Sequence, residues 1–319
     1  MNHFTFTTAT KERAKARIAL IGPTGSGKTY TALVTATGLG GRIALVDTEH
    51  GSAAKYADEF AFDTLPLTVF RPTTLVDVLA VAAHDGYDVV IVDSLSHFWS
   101  GTGGMLEQVD DAAKRAGGGG SFAGWKEARP QERAMIDALL AYPGHLIVTM
   151  RTKTEYVVES DERGRKVPRK VGLKPEQREG IEYEFDIVGD LDQENTLVIS
   201  KSRAKPLSGV VFHKPGPEFA EAVFNWLEAG KPARSVPDYV TAATAPDATP
   251  DDLRTLYEQA RRHNLLGAAV LDGDGETQTL GELIVRHGTA ARNRPVQDVT
   301  PEAGTGQRRT EPKKKGEAA

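Results

Sequence analysis

Residues 17–29, RIALIGPTGSGKT, set a short apolar, β-branched run directly against Gly22, Gly27, Lys28 and Thr29. The spacing is G-x-x-x-x-G-K-[ST], and the run that follows, TYTALVTATG, suits a helix. A buried strand, a glycine loop and a helix in that order form a phosphate cradle: glycines turn backbone N–H groups inward, and the helix N-terminus adds positive potential. The candidate nucleotide-binding residues are therefore Gly22, Pro23, Thr24, Gly25, Ser26, Gly27, Lys28, Thr29 and Tyr30. Lys28 is expected on the β- and γ-phosphates of ATP, and the Thr29 hydroxyl on Mg²⁺.

Three more runs of the same kind follow at 42–47 (RIALVD), 88–93 (DVVIVD) and 145–150 (HLIVTM), separated by stretches of helical pattern. Continuous rather than alternating apolar runs imply strands covered on both faces, hence a mostly parallel sheet flanked by helices in an α/β fold. Ligands of such sheets lie beyond the carboxyl ends of the strands. Asp93 ends one strand 65 residues after Lys28 and is the candidate second Mg²⁺ ligand. Glu49, just past the strand ending in Asp47, is the candidate for activating water; capping the following helix is its alternative role.

Beyond residue 150 the pattern becomes antiparallel. Residues 155–171 read as a hairpin with its turn at Asp161–Gly164, and 181–203 as two longer strands around a turn at Gln193–Asn195. A helix, PEFAEAVFNWLEAG, stops at Gly230. Residues 231–250, rich in Ala, Pro and Thr, read as a linker after a core spanning 1–230. A small helical unit over 251–290 shows Leu253, Leu256, Tyr257 and Ala260 at helical spacing and a capping box at Thr279 and Glu282. Between its helices DGDGE faintly resembles a calcium loop but lacks the remaining oxygen ligands, so a tight turn is expected. The polar residues 291–319 read as a disordered tail.

Composition narrows the partners. Net charge is −5, so a nucleic-acid contact requires a local basic patch rather than bulk charge. Residues 163–178 supply one, with seven Lys or Arg against a single Glu. No apolar run spans a membrane, and the N-terminus does not read as a secretory signal. The absence of cysteine excludes disulfides and thiolate metal sites and suits a reducing cytoplasm, that of the host if the chain is phage-encoded.

From LVDTEHGSAAKYA and VVIVDSLSHF onward, the sequence resembles the RecA family of recombinase ATPases, over roughly residues 15–215. KPEQREGIEYEFDIVGDLD is similar to phage-encoded annealing proteins of the Sak type. The resemblance implies a RecA-like fold with an antiparallel extension, a DNA-stimulated ATP hydrolase, and a filament or ring with ATP at the subunit boundary. It assigns Glu49 to water activation and Lys201 with Arg203 to the neighbour's ATP, although an edge-strand pair of solvated cations is the alternative. Where the family carries a phosphate-sensing glutamine, LIVTMRTK has Arg151, open to a phosphate or a DNA contact. The family's DNA loops fall at 100–124 and 152–180, which makes Arg163, Arg165, Lys166, Arg169, Lys170 and Lys174 candidate contacts to single-stranded DNA. Phe122 and Trp125 are candidates for base stacking, at roughly 1–3 kcal/mol per base, or Trp125 packs in the core. A single-strand-binding protein is the expected partner of the C-terminal unit. The activity implied is annealing or strand exchange; a helicase-like motor and a nucleotide-gated adaptor are the rival readings.

Overall fold

The computed structural model describes residues 14–116, 120–160, 166–230 and 234–294. In chain order the first half is β1 (Arg17–Gly22), α1 (Lys28–Leu39), β2 (Ile43–Asp47), β3 (Asp63–Pro66), α2 (Pro72–His84), β4 (Val89–Asp93), α3 (His97–Ser100), α4 (Met105–Arg115) and α5 (Gly120–Ala141). Then follow β5 (His145–Ser160), β6 (Lys166–Pro175), β7 (Ile187–Leu191), β8 (Thr196–Ser202), β9 (Val211–His213) and α6 (Pro217–Glu228). The remainder is α7 (Val236–Ala243), α8 (Pro250–Arg262), β10 (Ala269–Leu271), β11 (Thr277–Thr279) and α9 (Leu280–Arg292).

Nine strands make one sheet in the order β3-β2-β4-β5-β1-β7-β8-β9, with β6 paired to the outer half of β5. From β3 to β7 the neighbours run parallel, while β8 and β9 are antiparallel. The fold is thus the mostly parallel α/β sheet expected from the sequence, with its antiparallel extension. Two apolar layers cover the sheet: Leu75, Leu79, Phe98, Met135 and Leu139 on one face, and Leu33, Ala36, Phe219 and Val223 on the other. Register sets Asp47 opposite Asp93, and Gly22 opposite Arg151, so one rim carries the polar ends of four strands.

Several expectations are corrected. β3 is an additional edge strand, exposed and flanked by loops, with too little apolar character to read as one. The segment read as a strand from 181 begins with a 3-10 turn at Ile181–Tyr183, and pairing starts only at Ile187. The described residues within 100–124, which exclude 117–119, are largely helical rather than a loop. They hold α4 and the start of α5, because Met105, Val109 and Ala128 bury a common apolar seam with Trp99 and Trp125. The 231–250 linker contains α7, capped by Ser235 and Asp238, with Val236, Tyr239 and Ala243 buried. The terminal unit includes a β10–β11 hairpin and is docked on the core: Ala269 joins the apolar layer of α2 and α5, and Ala141 joins that of α7, α8 and α9.

The Asp272 loop is the expected tight turn, its carboxylate accepting from the backbone of Asp274 and Glu276 and from Arg286. The Thr279–Glu282 capping box is present. The hairpin turn at Asp161–Gly164 and the tail beyond Arg294 lie outside the described residues.

At the opposite rim, buried His145 accepts a hydrogen bond from the Ala16 N–H at 3.0 Å, and burial pushes its imidazole down to about 3. The folded state therefore binds fewer protons at this group than the unfolded chain. Its stability is complete above the ordinary histidine range and falls as pH drops from about 6.5 toward 3, by up to roughly 1 kcal/mol per pH unit. Urea unfolding between pH 7 and 4.5 should show this slope, and His145→Asn, which keeps an acceptor without a titratable ring, should flatten it. An unchanged slope in the variant would assign the loss to other groups.

Candidate functional site

The loop after β1 needs its glycines. Gly25 and Gly27 take φ of 79° and 82°, a region that penalises any β-carbon. At Gly22 a β-carbon would fall 2.5 Å from the Leu191 carbonyl oxygen and 2.6 Å from Ser26 Oγ. Ser26 Oγ is buried inside the loop without a hydrogen-bond partner among the described residues, an orphan that a phosphate oxygen satisfies. α1 begins at Lys28 with no side chain capping its first turn, which leaves backbone donors facing the loop. Lys28 Nζ donates to the Pro23 carbonyl at 2.8 Å, and an ammonium has two further donors. Burial lowers its pKa, opposed by the carboxylates of Asp93 and Glu49.

Asp93 ends β4 in a buried position, and desolvation pushes its carboxyl above the ordinary range. Its oxygens accept from the Thr29 hydroxyl at 2.7 Å and from the Thr149 hydroxyl. The expected pair, Thr29 and Asp93, is therefore in direct contact. Among the described residues no group of three His, Asp or Glu could cage a metal. Mg²⁺ suits this site nonetheless, since it uses one or two carboxylates and completes its shell with phosphate oxygens and water.

Glu49 is positioned by its neighbour in sequence. The Asp47 carboxylate accepts from the N–H groups of Glu49 at 2.7 Å and Gly51 at 2.6 Å, folding the loop after β2 over the rim. Glu49 does not cap a helix. Both of its oxygens accept from Arg151: Nε to Oε1 at 2.9 Å, and Nη2 to Oε2. This pairing keeps the guanidinium charged, raising its pKa further. Behind it, Thr48 Oγ1 shares a 2.6 Å hydrogen bond with His97 Nδ1, whose imidazole burial pushes down.

These groups line one cavity of about 630 Å³, which contains Thr24, Gly25, Gly27, Lys28, Thr29, Tyr30, Glu49, Asp93 and Arg151. Its other wall is Ser52, Tyr56, Asn195, Lys214 and Pro215, which sequence reasoning missed. Asn195 donates from Nδ2 to the Gly25 carbonyl at 3.3 Å, and its own carbonyl accepts from the Lys214 N–H at 2.9 Å. Both residues take positive φ, 62° and 51°, without being glycine, the local strain that gathers at ligand-binding walls. Asparagine in a strand-to-strand turn was the available signal. Tyr30 lines the same cavity from an exposed position, its ring 5.8 Å from Tyr56 and 5.4 Å from Phe60 and its hydroxyl donating to Glu59.

A family model described as an AAA domain matches residues 14–210, more than half of the chain. The chain belongs to that AAA-domain family. No curated protein matches it. This AAA domain is a nucleotide-binding core of the ATPase type, and among its described residues no helix is long and apolar enough to cross a membrane.

Other candidates fall outside the cavity of the AAA domain. Lys201 directs Nζ at the carbonyls of Glu182, Tyr183 and Phe185, at 3.0, 2.6 and 2.6 Å, so it anchors its own chain. Arg203 is 61% exposed and pairs with Asp186 at 2.7 Å. Trp125 packs on Trp99 with ring centroids 5.7 Å apart, whereas Phe122 on the same helix is 84% exposed. Lys166, Arg169, Lys170 and Lys174 fall on β6, with Lys174 exposed; Arg163 and Arg165 lie outside the described residues.

Gly27→Ala should weaken nucleotide binding by about tenfold or more, since a left-handed alanine costs roughly 1–2 kcal/mol and its methyl meets Asn195 Nδ2 at 3.0 Å. Calorimetric titration with an ATP analogue checks it; unchanged affinity would mean that the loop relaxes around the methyl.

Proposed function

We propose that the chain is an ATP hydrolase that binds single-stranded DNA and acts in annealing or strand exchange, with DNA stimulating turnover. One observation carries the hydrolase reading: Lys28, the Thr29–Asp93 pair and Glu49 meet in a single cavity at the carboxyl ends of parallel strands. Lys28 and the loop N–H groups hold the triphosphate. Thr29 and Asp93 would hold Mg²⁺, which when bound would neutralise developing charge on the phosphate oxygens. Glu49 accepts a proton from water as the water oxygen bonds to the terminal phosphorus and the bridging P–O bond breaks. ADP then leaves with that electron pair.

The DNA part of the reading is supported by the basic composition of β6 and by its attachment. β5 runs without interruption from the sheet rim at Arg151 into the hairpin, so a ligand held there has a covalent path to the hydrolytic edge. AAA domains often oligomerise, and exposed Arg203 would exchange its bond to Asp186 for a neighbour's ATP, with Lys201 stiffening the turn beside it.

Glu49→Gln should bind ATP normally and hydrolyse it at least about 100-fold more slowly; unchanged phosphate release would remove Glu49 from the reaction. Replacing Arg165, Lys166, Arg169 and Lys170 with Ala should weaken single-strand affinity and reduce the salt slope by about 0.7 for each phosphate that is no longer neutralised. Affinity and slope equal to the parent would move the DNA site elsewhere.

A further inference from the structure

Both feet of the β5–β6 hairpin grip the edge that carries Glu49 and Asp93. On the outgoing strand, Arg151 holds Glu49 through two parallel hydrogen bonds and donates its own N–H to Ser96 Oγ at 2.9 Å. On the return strand, the Glu176 N–H donates to the Arg151 carbonyl at 2.7 Å, and its carboxylate accepts from Ser100 at 3.0 Å. Gln177 is buried; its Nε2 donates to the carbonyl of Leu95, two residues past Asp93, at 3.2 Å, while its Oε1 accepts from the Arg178 N–H at 2.8 Å. The hairpin is therefore tied to the loop after β2 through one strand and to the loop after β4 through the other.

The pairing has a chemical consequence. A carboxylate whose two oxygens both accept from one guanidinium has its rotamer fixed and two of its four lone-pair sites in use. Release from Arg151 lets Glu49 turn and frees both oxygens to accept from water. A guanidinium can exchange to another anion that accepts two parallel N–H bonds, and the two non-bridging oxygens of a phosphodiester are such a pair. Arg151 is 41% exposed and stands where the hairpin begins, so a backbone phosphate can reach it without unfolding the rim.

We propose that Arg151 is a positioning residue that restrains Glu49, and that a phosphate of a nucleic-acid strand on the hairpin takes its guanidinium and frees Glu49 for water. Gln177 keeps the return strand fixed to the Leu95 backbone, so that the exchange at Arg151 is transmitted rather than absorbed by a loose hairpin. This rests on the reading of the chain as a DNA-stimulated hydrolase and names the residues through which stimulation passes.

The test uses the full chain, saturating ATP and Mg²⁺, and oligothymidylate as the probe. Phosphate release is measured with and without the probe, and probe binding is followed separately by fluorescence anisotropy. For Arg151→Gln, unstimulated kcat is expected to rise roughly three- to tenfold, the range of a partly exposed ion pair, with KM within about twofold and little further gain from the probe. Arg151→Lys, which keeps charge but offers a single donor, is expected between parent and Gln. Gln177→Glu keeps the acceptor for Arg178 but loses the donor to Leu95; it is expected to bind the probe normally and lose most of the stimulation. A fall in unstimulated kcat for Arg151→Gln would overturn the restraint. Full stimulation in Gln177→Glu would overturn the role of the return foot. If the parent binds the probe without acceleration while Arg151→Gln is faster, release by a strand is overturned. If the parent does not bind the probe at all, the DNA reading fails, and the Arg151→Gln rate with ATP alone still decides the restraint.

Discussion

The buried carboxylate of Asp93 joins three parts of the molecule that sequence keeps apart. One oxygen accepts from Thr29 at the start of α1, the other from Thr149 near the rim end of the sheet portion of β5. Desolvation makes its charge costly, and two hydroxyl donors offset that cost. Because both donors converge on it, the phosphate loop, β4 and β5 share one geometry at the rim. Everything placed on those elements, Lys28, Glu49 through β2, and Arg151, inherits its position from this junction.

A parallel sheet gathers strand ends, and here it gathers charges of opposite sign. Glu49 and Arg151 are 102 positions apart in the chain yet meet because β4 alone separates β2 from β5. The same topology lets the hairpin extend from β5 as one strand, with a single shift in its pairing to β6 between Glu155 and Tyr156. A separately tethered loop would have needed further contacts to influence the rim, whereas this strand is joined to it by its covalent backbone and by the ladder with β6.

The phosphate loop was legible because its chemistry is local: spacing, a preceding apolar run and a following helix all agree within residues 17–38. Asp93 and Glu49 were legible from their positions at strand ends. The Arg151–Glu49 pair was not, since no local pattern encodes which strand lies beside which. Asn195 and Lys214 were missed because a turn sequence states its own conformation but not what it leans on. The loop expected at 100–124 came from the resemblance, which did not show the apolar seam of Met105, Val109 and Ala128 that packs α4 on α5. Composition misled at the linker. Ala, Pro and Thr suggested a tether, although Ser235 before Val236-Pro237, with Tyr239 and Ala243 at helical spacing, is an ordinary capped start.

The docking of the last folded segment bears on how this chain can be dissected. Ala269 packs into the same apolar layer as Leu79 and Met135, and Gly267 approaches Asp137 so closely that a methyl group there would meet its β-carbon at 2.8 Å. α2 and α5, which cover one side of the central sheet, therefore depend for part of their cover on residues about 190 and 130 positions downstream. A fragment ending near residue 230 would carry that uncovered surface into solvent, and self-association of such a truncated piece would report exposed greasy side chains rather than the assembly of the intact molecule.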